Sequence, residues 1–125
     1  MSHILIIDDE RSNLAVMEKL LSLEGFTFTS VSDALKVEGI LQQEETADMV
    51  ILDLGIPELN GYELFQLIRQ YMPSTPIVAC TVHTSELNKA KQFGFHSFLS
   101  KPLNMDAFGG LVKRILKGEA IWQSY

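Results

Sequence analysis

Short apolar runs alternate with amphipathic stretches along the whole chain. ILII (4–7), MVIL (49–52), PIVAC (76–80) and FLS (98–100) are brief and mostly rich in Ile, Val and Leu, as expected for strands buried on both faces. Strands are expected at residues 3–7, 26–31, 48–52, 77–80 and 95–99. Between them the apolar period lengthens to that of a helix. Helices are expected at 12–23, 34–43, 61–71, 85–93 and 105–116. In the first, Leu14, Met17, Leu20 and Leu21 share one face, and Gly25 ends it. Ser32 or Asp33 caps the second, and Asn104 caps the fifth. Pro73 and Pro76 bracket the exit of the third, and Gly94 closes the fourth. Strands alternating with helices, joined by short connections, predict right-handed crossovers and one parallel α/β sheet.

A parallel sheet brings all strand C-termini to one edge, where open α/β folds place their crevice. The apolar runs end in Asp8-Asp9, Asp53, Thr81 and Lys101-Pro102. Two adjacent carboxylates at a strand end repel each other and lose hydration unless a cation or base compensates. One of them has an alternative use, since residues 11–13 open a helix and an N-cap is needed there. Asp53 adds a third acid. Three carboxylates with Lys101 nearby call for a hard cation that takes oxygen ligands, Mg²⁺. His3, His83 and His96 are scattered and Cys80 is alone, so no zinc-type spacing exists. Asp53 is also suited to be a nucleophile that forms an acyl phosphate, with Lys101 and the Thr81 hydroxyl on the phosphate oxygens.

Composition narrows the classes further. The 125 residues suffice for one domain with one core, and 46% hydrophobic content is globular. A formal charge of -6 argues against generic nucleic-acid binding. No apolar stretch approaches a membrane span and no leader-like start is present, so a cytoplasmic protein is expected. Cys80, inside an apolar run, reads as a packing residue. Residues 1–118 are expected to form the domain. Residues 119–125 form a short tail without an output domain, with Ile121, Trp122 and Tyr125 packed on helix 5 or a neighbour.

These motifs resemble the receiver domain of two-component response regulators, and of the stand-alone type. The resemblance rests on Asp8-Asp9, on residues 53–61 (DLGIPELNG), on Thr81, and on Gly94 followed by FLSKP at 98–102. It implies a flavodoxin-like (βα)5 fold with strand order 2-1-3-4-5. It implies that Asp53 accepts a phosphoryl group from a histidine kinase or phosphotransfer protein. Asp9 and Asp53 would ligate Mg²⁺ directly, Asp8 through water, and Gly55 by its carbonyl. Lys101 would pair with the phosphate, and the Lys101–Pro102 bond would be cis. Thr81 and Phe98 would form a switch pair, Thr81 moving to the phosphate as Phe98 turns inward. The switched surface would be helix 4, strand 5 and helix 5, presented to an effector protein. The chain would be a signalling phosphoacceptor with slow self-dephosphorylation rather than an enzyme.

Some positions depart from the commonest family pattern. Gly55 stands where a side chain is usual, Ile56 where Met is frequent, Val82 where Ala or Gly is common, and Phe98 where Tyr is frequent. His83 is either an exposed loop residue or a group that orients water. Gly55 and Val82 together predict a long-lived phospho-form. His96 and Ser97 replace the acidic residues that pair across the symmetric dimer of transcription-factor receivers, so a monomer or weak dimer of another kind is expected. A dehalogenase-type hydrolase also uses an Asp nucleophile, Mg²⁺ and Lys, but it needs a second Asp at the position of Gly55. A degenerate receiver that binds partners without phosphorylation is disfavoured by the complete acid, Thr and Lys set.

Overall fold

The computed structural model describes residues 2–43, 46–55 and 61–123. The motif residues Ile56, Pro57, Glu58, Leu59 and Asn60, and the tail residue Tyr125, lie outside the described residues. Five parallel strands, β1 (His3–Ile7), β2 (Thr27–Val31), β3 (Met49–Asp53), β4 (Ile77–Thr81) and β5 (Ser97–Ser100), form one sheet in the order β2-β1-β3-β4-β5. The helices are α1 (Arg11–Leu23), α2 (Val37–Gln43), α3 (Gly61–Tyr71), α4 (Leu87–Phe93) and α5 (Met105–Leu116). The fold is the flavodoxin-like one anticipated from the sequence.

Alternation along each strand sorts the core into two layers. Ile4, Ile6, Met49, Ile51, Val78, Cys80 and Leu99 face α1 and α5, meeting Leu14, Met17, Phe108 and Ile115. Leu5, Ile7, Val50, Leu52, Ala79 and Phe98 face α2, α3 and α4. Both faces are covered, which is why the runs are continuously apolar rather than alternating.

Several boundaries shift for local reasons. Phe26 and Phe95 are not in strands. The Phe26 N–H donates to the Leu21 carbonyl and the Phe95 N–H to that of Ala90, so each closes the preceding helix. Gly25 (φ +84°) and Gly94 (φ +115°) make those closures in the left-handed region. Residues 34–36 and 85–86, expected as α-helix, belong to single 3-10 turns, 34–36 and 84–86, that lead into α2 and α4. Asp33 caps the first turn through the Leu35 N–H. Strands β3 and β4 run one residue further than expected, so Asp53 and Thr81 are themselves held in the sheet. A Cβ on Gly61 would lie 2.8 Å from the Leu54 Cα, so α3 starts tight against the residue that follows Asp53.

After α5 the chain turns at Gly118 (φ +101°) and returns along the outer edge of β5. Trp122 pairs with Phe98 in a parallel bridge. The Phe98 N–H donates to the Ile121 carbonyl at 2.8 Å, and the Gln123 N–H donates to the Phe98 carbonyl at 2.9 Å. The Ile121 N–H donates to the Ser97 Oγ at 3.0 Å. Ile121 packs into the α1–α5 layer and Trp122 into the other. The tail aromatic Trp122 thus sits on the α4 side of the sheet.

The two buried serines of β5 provide a test of this packing. Ser97 Oγ holds the tail and contacts His96 Nδ1, whereas Ser100 Oγ is, among the described residues, buried without a partner. Removing a hydroxyl that satisfies a buried N–H costs about 1–2 kcal/mol, while removing an unpaired one is close to neutral. Ser97→Ala is therefore expected to lower stability in urea by that amount, and Ser100→Ala to change it by less than about 0.5 kcal/mol. Equal losses in the two variants would contradict this packing.

Candidate phosphoacceptor site

The site is assembled from strand ends. The Asp8 N–H donates to the Val31 carbonyl of β2 at 3.0 Å, so the sheet ladder continues one residue past β1. This buries the Asp8 side chain, which is 1% exposed. Its Oδ1 accepts the Glu10 N–H at 3.0 Å, just ahead of α1. The next carboxylate, Asp9, is exposed. Asp53 closes β3, and its Oδ1 accepts the Gly55 N–H at 2.9 Å. Carboxylate oxygens of Asp8, Asp9 and Asp53 lie within 4.8 Å of one another.

Lys101 enters from the end of β5. Its Nζ lies 2.6 Å from Asp8 Oδ2 and 3.4 Å from Asp53 Oδ2. The Lys101 N–H donates to the Thr81 carbonyl at 2.9 Å, which ties the ends of β4 and β5 together. The Lys101–Pro102 bond that follows is cis. Thr81 is fully buried, and its Oγ1 accepts the His83 N–H at 3.1 Å, leaving the hydroxyl proton available to another acceptor.

Burial raises the Asp53 carboxyl above its ordinary value, and the Asp8 charge adds to this. The Gly55 N–H and the Lys101 ammonium act in the opposite sense. Burial also works against the Lys101 charge, but the Asp8 hydrogen bond and the Asp53 and Asp8 charges outweigh it and hold the ammonium above its usual value. Cys80 pairs in register with Asp53, and burial pushes its thiol up to about 12. It is an inert core group, not a nucleophile.

Asp9, Asp53, Gly55, Thr81, Val82, His83 and Lys101 line an open cleft of about 300 Å³. A Cβ on Gly55 would lie 3.5 Å from Asp53 Oδ1 and 3.8 Å from His83 Nε2, so the imidazole stands across Gly55 from the carboxylate. Val82 is 60% exposed at the mouth. Glu10 and Asn13 also line the cleft, joined by a hydrogen bond from Asn13 Nδ2 to Glu10 Oε2 at 3.0 Å. Sequence reasoning did not single them out. Their signal was positional, since the first turn of α1 directly follows an acidic pair at a strand end. Phe98 lies away from the cleft, fully buried between the sheet and α4, with Trp122 beside it.

Closely spaced carboxylates supply hard oxygen donors, which suit Mg²⁺. A cation there would also relieve the repulsion that Lys101 alone balances incompletely. The ligand set therefore fits the metal that the sequence implied.

The profile of the response regulator receiver domain matches residues 4–113. The chain is 32% identical over 108 residues to the transcriptional regulatory protein GlrR of Escherichia coli K12, covering 85% of this chain and 24% of GlrR. It thus spans about a quarter of that relative's length. A two-component response regulator from Clostridium difficile superposes with a TM-score of 0.85 at 25% identity, over 94% of this chain and 98% of that one. The CheY-like receiver domain from Methanospirillum hungatei shares the fold, with a TM-score of 0.84 at 22% identity over 94% of each chain. Receiver domains act in signalling as phosphoacceptors and bind Mg²⁺ at an acidic pocket, with which the Asp8, Asp9 and Asp53 cluster is compatible. The chain belongs to the response regulator receiver domain family of two-component signalling.

Proposed function

We propose that Asp53 accepts a phosphoryl group from a histidine kinase or phosphotransfer protein, and that the chain relays this state through protein–protein contact. The observation that carries the reading is the meeting of three carboxylates with Lys101 at one strand edge, where Asp9, Asp53 and Lys101 line an open cleft and Asp8 is buried behind it. The Asp53 carboxylate attacks phosphorus as the P–N bond of the donor breaks, and the electron pair leaves with the donor imidazole. Asp9, Asp53 and the Gly55 carbonyl would hold Mg²⁺ directly and Asp8 through water, and the ion would supply positive charge beside the attacking carboxylate. Lys101 moves its charge from Asp53 to the phosphoryl group while keeping its bond to Asp8. Thr81 donates its hydroxyl proton to a phosphoryl oxygen. The surface of α4, β5 and α5 carries the output, with Thr81 and Phe98 as the switch pair. His96 and Ser97 leave that face without the acidic partners of a symmetric dimer, which supports a monomer or a weak dimer of another kind.

A dehalogenase-type hydrolase gains no support, because Gly55 provides no second carboxylate above Asp53.

Incubation with a small phosphodonor and Mg²⁺ is expected to add one phosphoryl group to the parent chain and none to Asp53→Asn, read by intact mass. Addition to both proteins would move the acceptor elsewhere. Absence of addition to a parent chain that binds Mg²⁺ would favour a module that works without phosphorylation.

Gly55 places no side chain where it could aim a water at the acyl phosphate, and Val82 crowds the mouth. The phospho-form is expected to decay slowly, Gly55→Asn to speed decay several-fold, and His83→Ala to leave it within about threefold, a modest share of what a positioned acid–base group contributes. A fast, pH-sensitive decay abolished in His83→Ala would refute the assignment.

A carboxyl whose folded value lies above its unfolded one adds stability below the unfolded value and loses it as pH rises through the folded value. Ionised Asp53 therefore opposes folding at neutral pH. In divalent-free buffer at pH 7, Asp53→Asn is expected to raise Tm by about 4 °C, equivalent to roughly 1 kcal/mol. The gap should shrink as pH falls through the raised folded value and be gone by about pH 4, the unfolded carboxyl value; adding Mg²⁺ should also shrink it. A lower Tm in the variant at pH 7 would show that Lys101 overcompensates the buried charge.

A further inference from the structure

Strands β4 and β5 pair with Ala79 opposite Phe98 and Thr81 opposite Ser100. Register partners in a sheet project to the same face, and so do residues two apart along one strand. Ala79 and Phe98 lie in the layer that faces α2, α3 and α4, so Thr81 and Ser100 project there as well. The four residues form a quadrilateral in which Thr81 and Phe98, the switch pair of the reading above, are diagonal. Ser100 is the polar corner that adjoins both, being opposite Thr81 and two residues beyond Phe98. Ala79, the remaining corner, has no polar side-chain group.

The hydroxyls of Thr81 and Ser100 are unequally satisfied, although both side chains are buried. Thr81 Oγ1 accepts the His83 N–H at 3.1 Å and keeps its proton to donate. Ser100 Oγ is, among the described residues, buried without a partner. Buried hydroxyls are nearly always paired, and an unpaired one raises the energy of the state that leaves it so. Adjacent strands lie about 4.8 Å apart. The Thr81 hydroxyl is the polar side-chain group in register with Ser100, and rotation about χ1 suffices to bring the two oxygens together. A hydroxyl oxygen carries two lone pairs, so Thr81 Oγ1 can accept from Ser100 without surrendering the bond from His83. A hydroxyl that accepts in this way also donates more strongly.

We propose that Ser100 is a positioning residue for the phosphorylated state: its hydroxyl is unpaired in the resting chain and donates to Thr81 Oγ1 once Thr81 turns its own proton to a phosphoryl oxygen. The inference rests on the phosphoacceptor reading of Asp53 given above. The unpaired hydroxyl disfavours the resting arrangement and its pairing favours the phosphorylated one, so both halves of the effect bias the chain the same way. Ser100 is not among the residues that line the cleft, and it acts through Thr81. The new bond joins the ends of β4 and β5 by their side chains, beside the Lys101 N–H that already donates to the Thr81 carbonyl at 2.9 Å. It forms on the face of the sheet where Phe98 packs.

Beryllofluoride, a non-transferable stand-in for the phosphoryl group, is titrated into the full chain at saturating Mg²⁺ and followed by calorimetry. The parent is expected to bind it and Asp53→Asn not to. Ser100→Ala is expected to bind it about fivefold more weakly, while its affinity for Mg²⁺ alone stays within about twofold of the parent. In a Thr81→Val background the same substitution is expected to change beryllofluoride affinity by less than about 1.5-fold, because Ser100 then has no hydroxyl to pair with. Parent-like affinity in Ser100→Ala would overturn the proposal. An equal loss in the Thr81→Val background would also overturn it, by making Ser100 a packing residue that acts independently of Thr81. So would an equal loss of affinity for Mg²⁺ alone, which would place the effect in the resting site. Failure of the parent to bind beryllofluoride, or binding by Asp53→Asn as well, would instead remove the phosphoacceptor reading, and this inference with it. Should Thr81→Val not fold, Thr81→Ala provides the background.

Discussion

The ion pair between Asp8 and Lys101 is the contact on which the rest of the site depends. It joins the end of β1 to the end of β5 across the two intervening strands, with Nζ 2.6 Å from Oδ2 and both side chains nearly out of solvent. A buried pair of this kind contributes little net stability, because dehydrating two charges offsets their attraction. Its significance is positional. The ammonium lies above the β3–β4 pair, within 3.4 Å of Asp53, and the carboxylates of β1 and β3 are drawn toward one point. Loss of either partner would leave an unpaired charge in the interior, costing about 3–5 kcal/mol. The arrangement is specified at both ends, since the sheet ladder fixes Asp8 through Val31 and the Lys101 N–H is held by Thr81.

The two apolar layers make this precision possible. Side chains alternating to α1 and α5 or to α2, α3 and α4 hold the strand ends in register. Burial of that kind permits few alternative pairings, because a slip of one residue would exchange the two layers. The acidic and basic groups therefore meet without any of them having to pull the fold together.

The convergence of Asp8, Asp9, Asp53, Thr81 and Lys101 was legible because a parallel sheet puts every strand C-terminus on one edge, whereas the sheet order followed from the family resemblance alone. A run of Ile, Val and Leu ending in a charged or polar residue locates that edge directly. Boundaries were less legible. Phe26 and Phe95 continue apolar runs in the sequence but close helices in the structure, since the glycine before each turns the chain and commits the next N–H to a helix carbonyl. The 3-10 turns before α2 and α4 carry no distinct composition. The tail was the larger gap. Ile121 and Trp122 were readable as apolar residues that needed cover, yet a two-residue apolar stretch has no period. The pairing partner, an open strand edge, exists only once the fold is assembled. The position of Glu10 and Asn13 on the cleft was hidden for a similar reason, because helix N-terminal residues look alike whether or not a cleft lies in front of them.

Cys80 is the one cysteine of the chain. It lies in β4 directly beneath the site, in register with Asp53, almost wholly buried and with its thiol held protonated. Maleimides and other thiol reagents that require the anion find no purchase on it. The molecule is thus its own silent background for chemical labelling. A cysteine introduced on any exposed helix position would carry a spin label or dye alone, so distances between the cleft and the sheet edge can be followed without first removing a native residue.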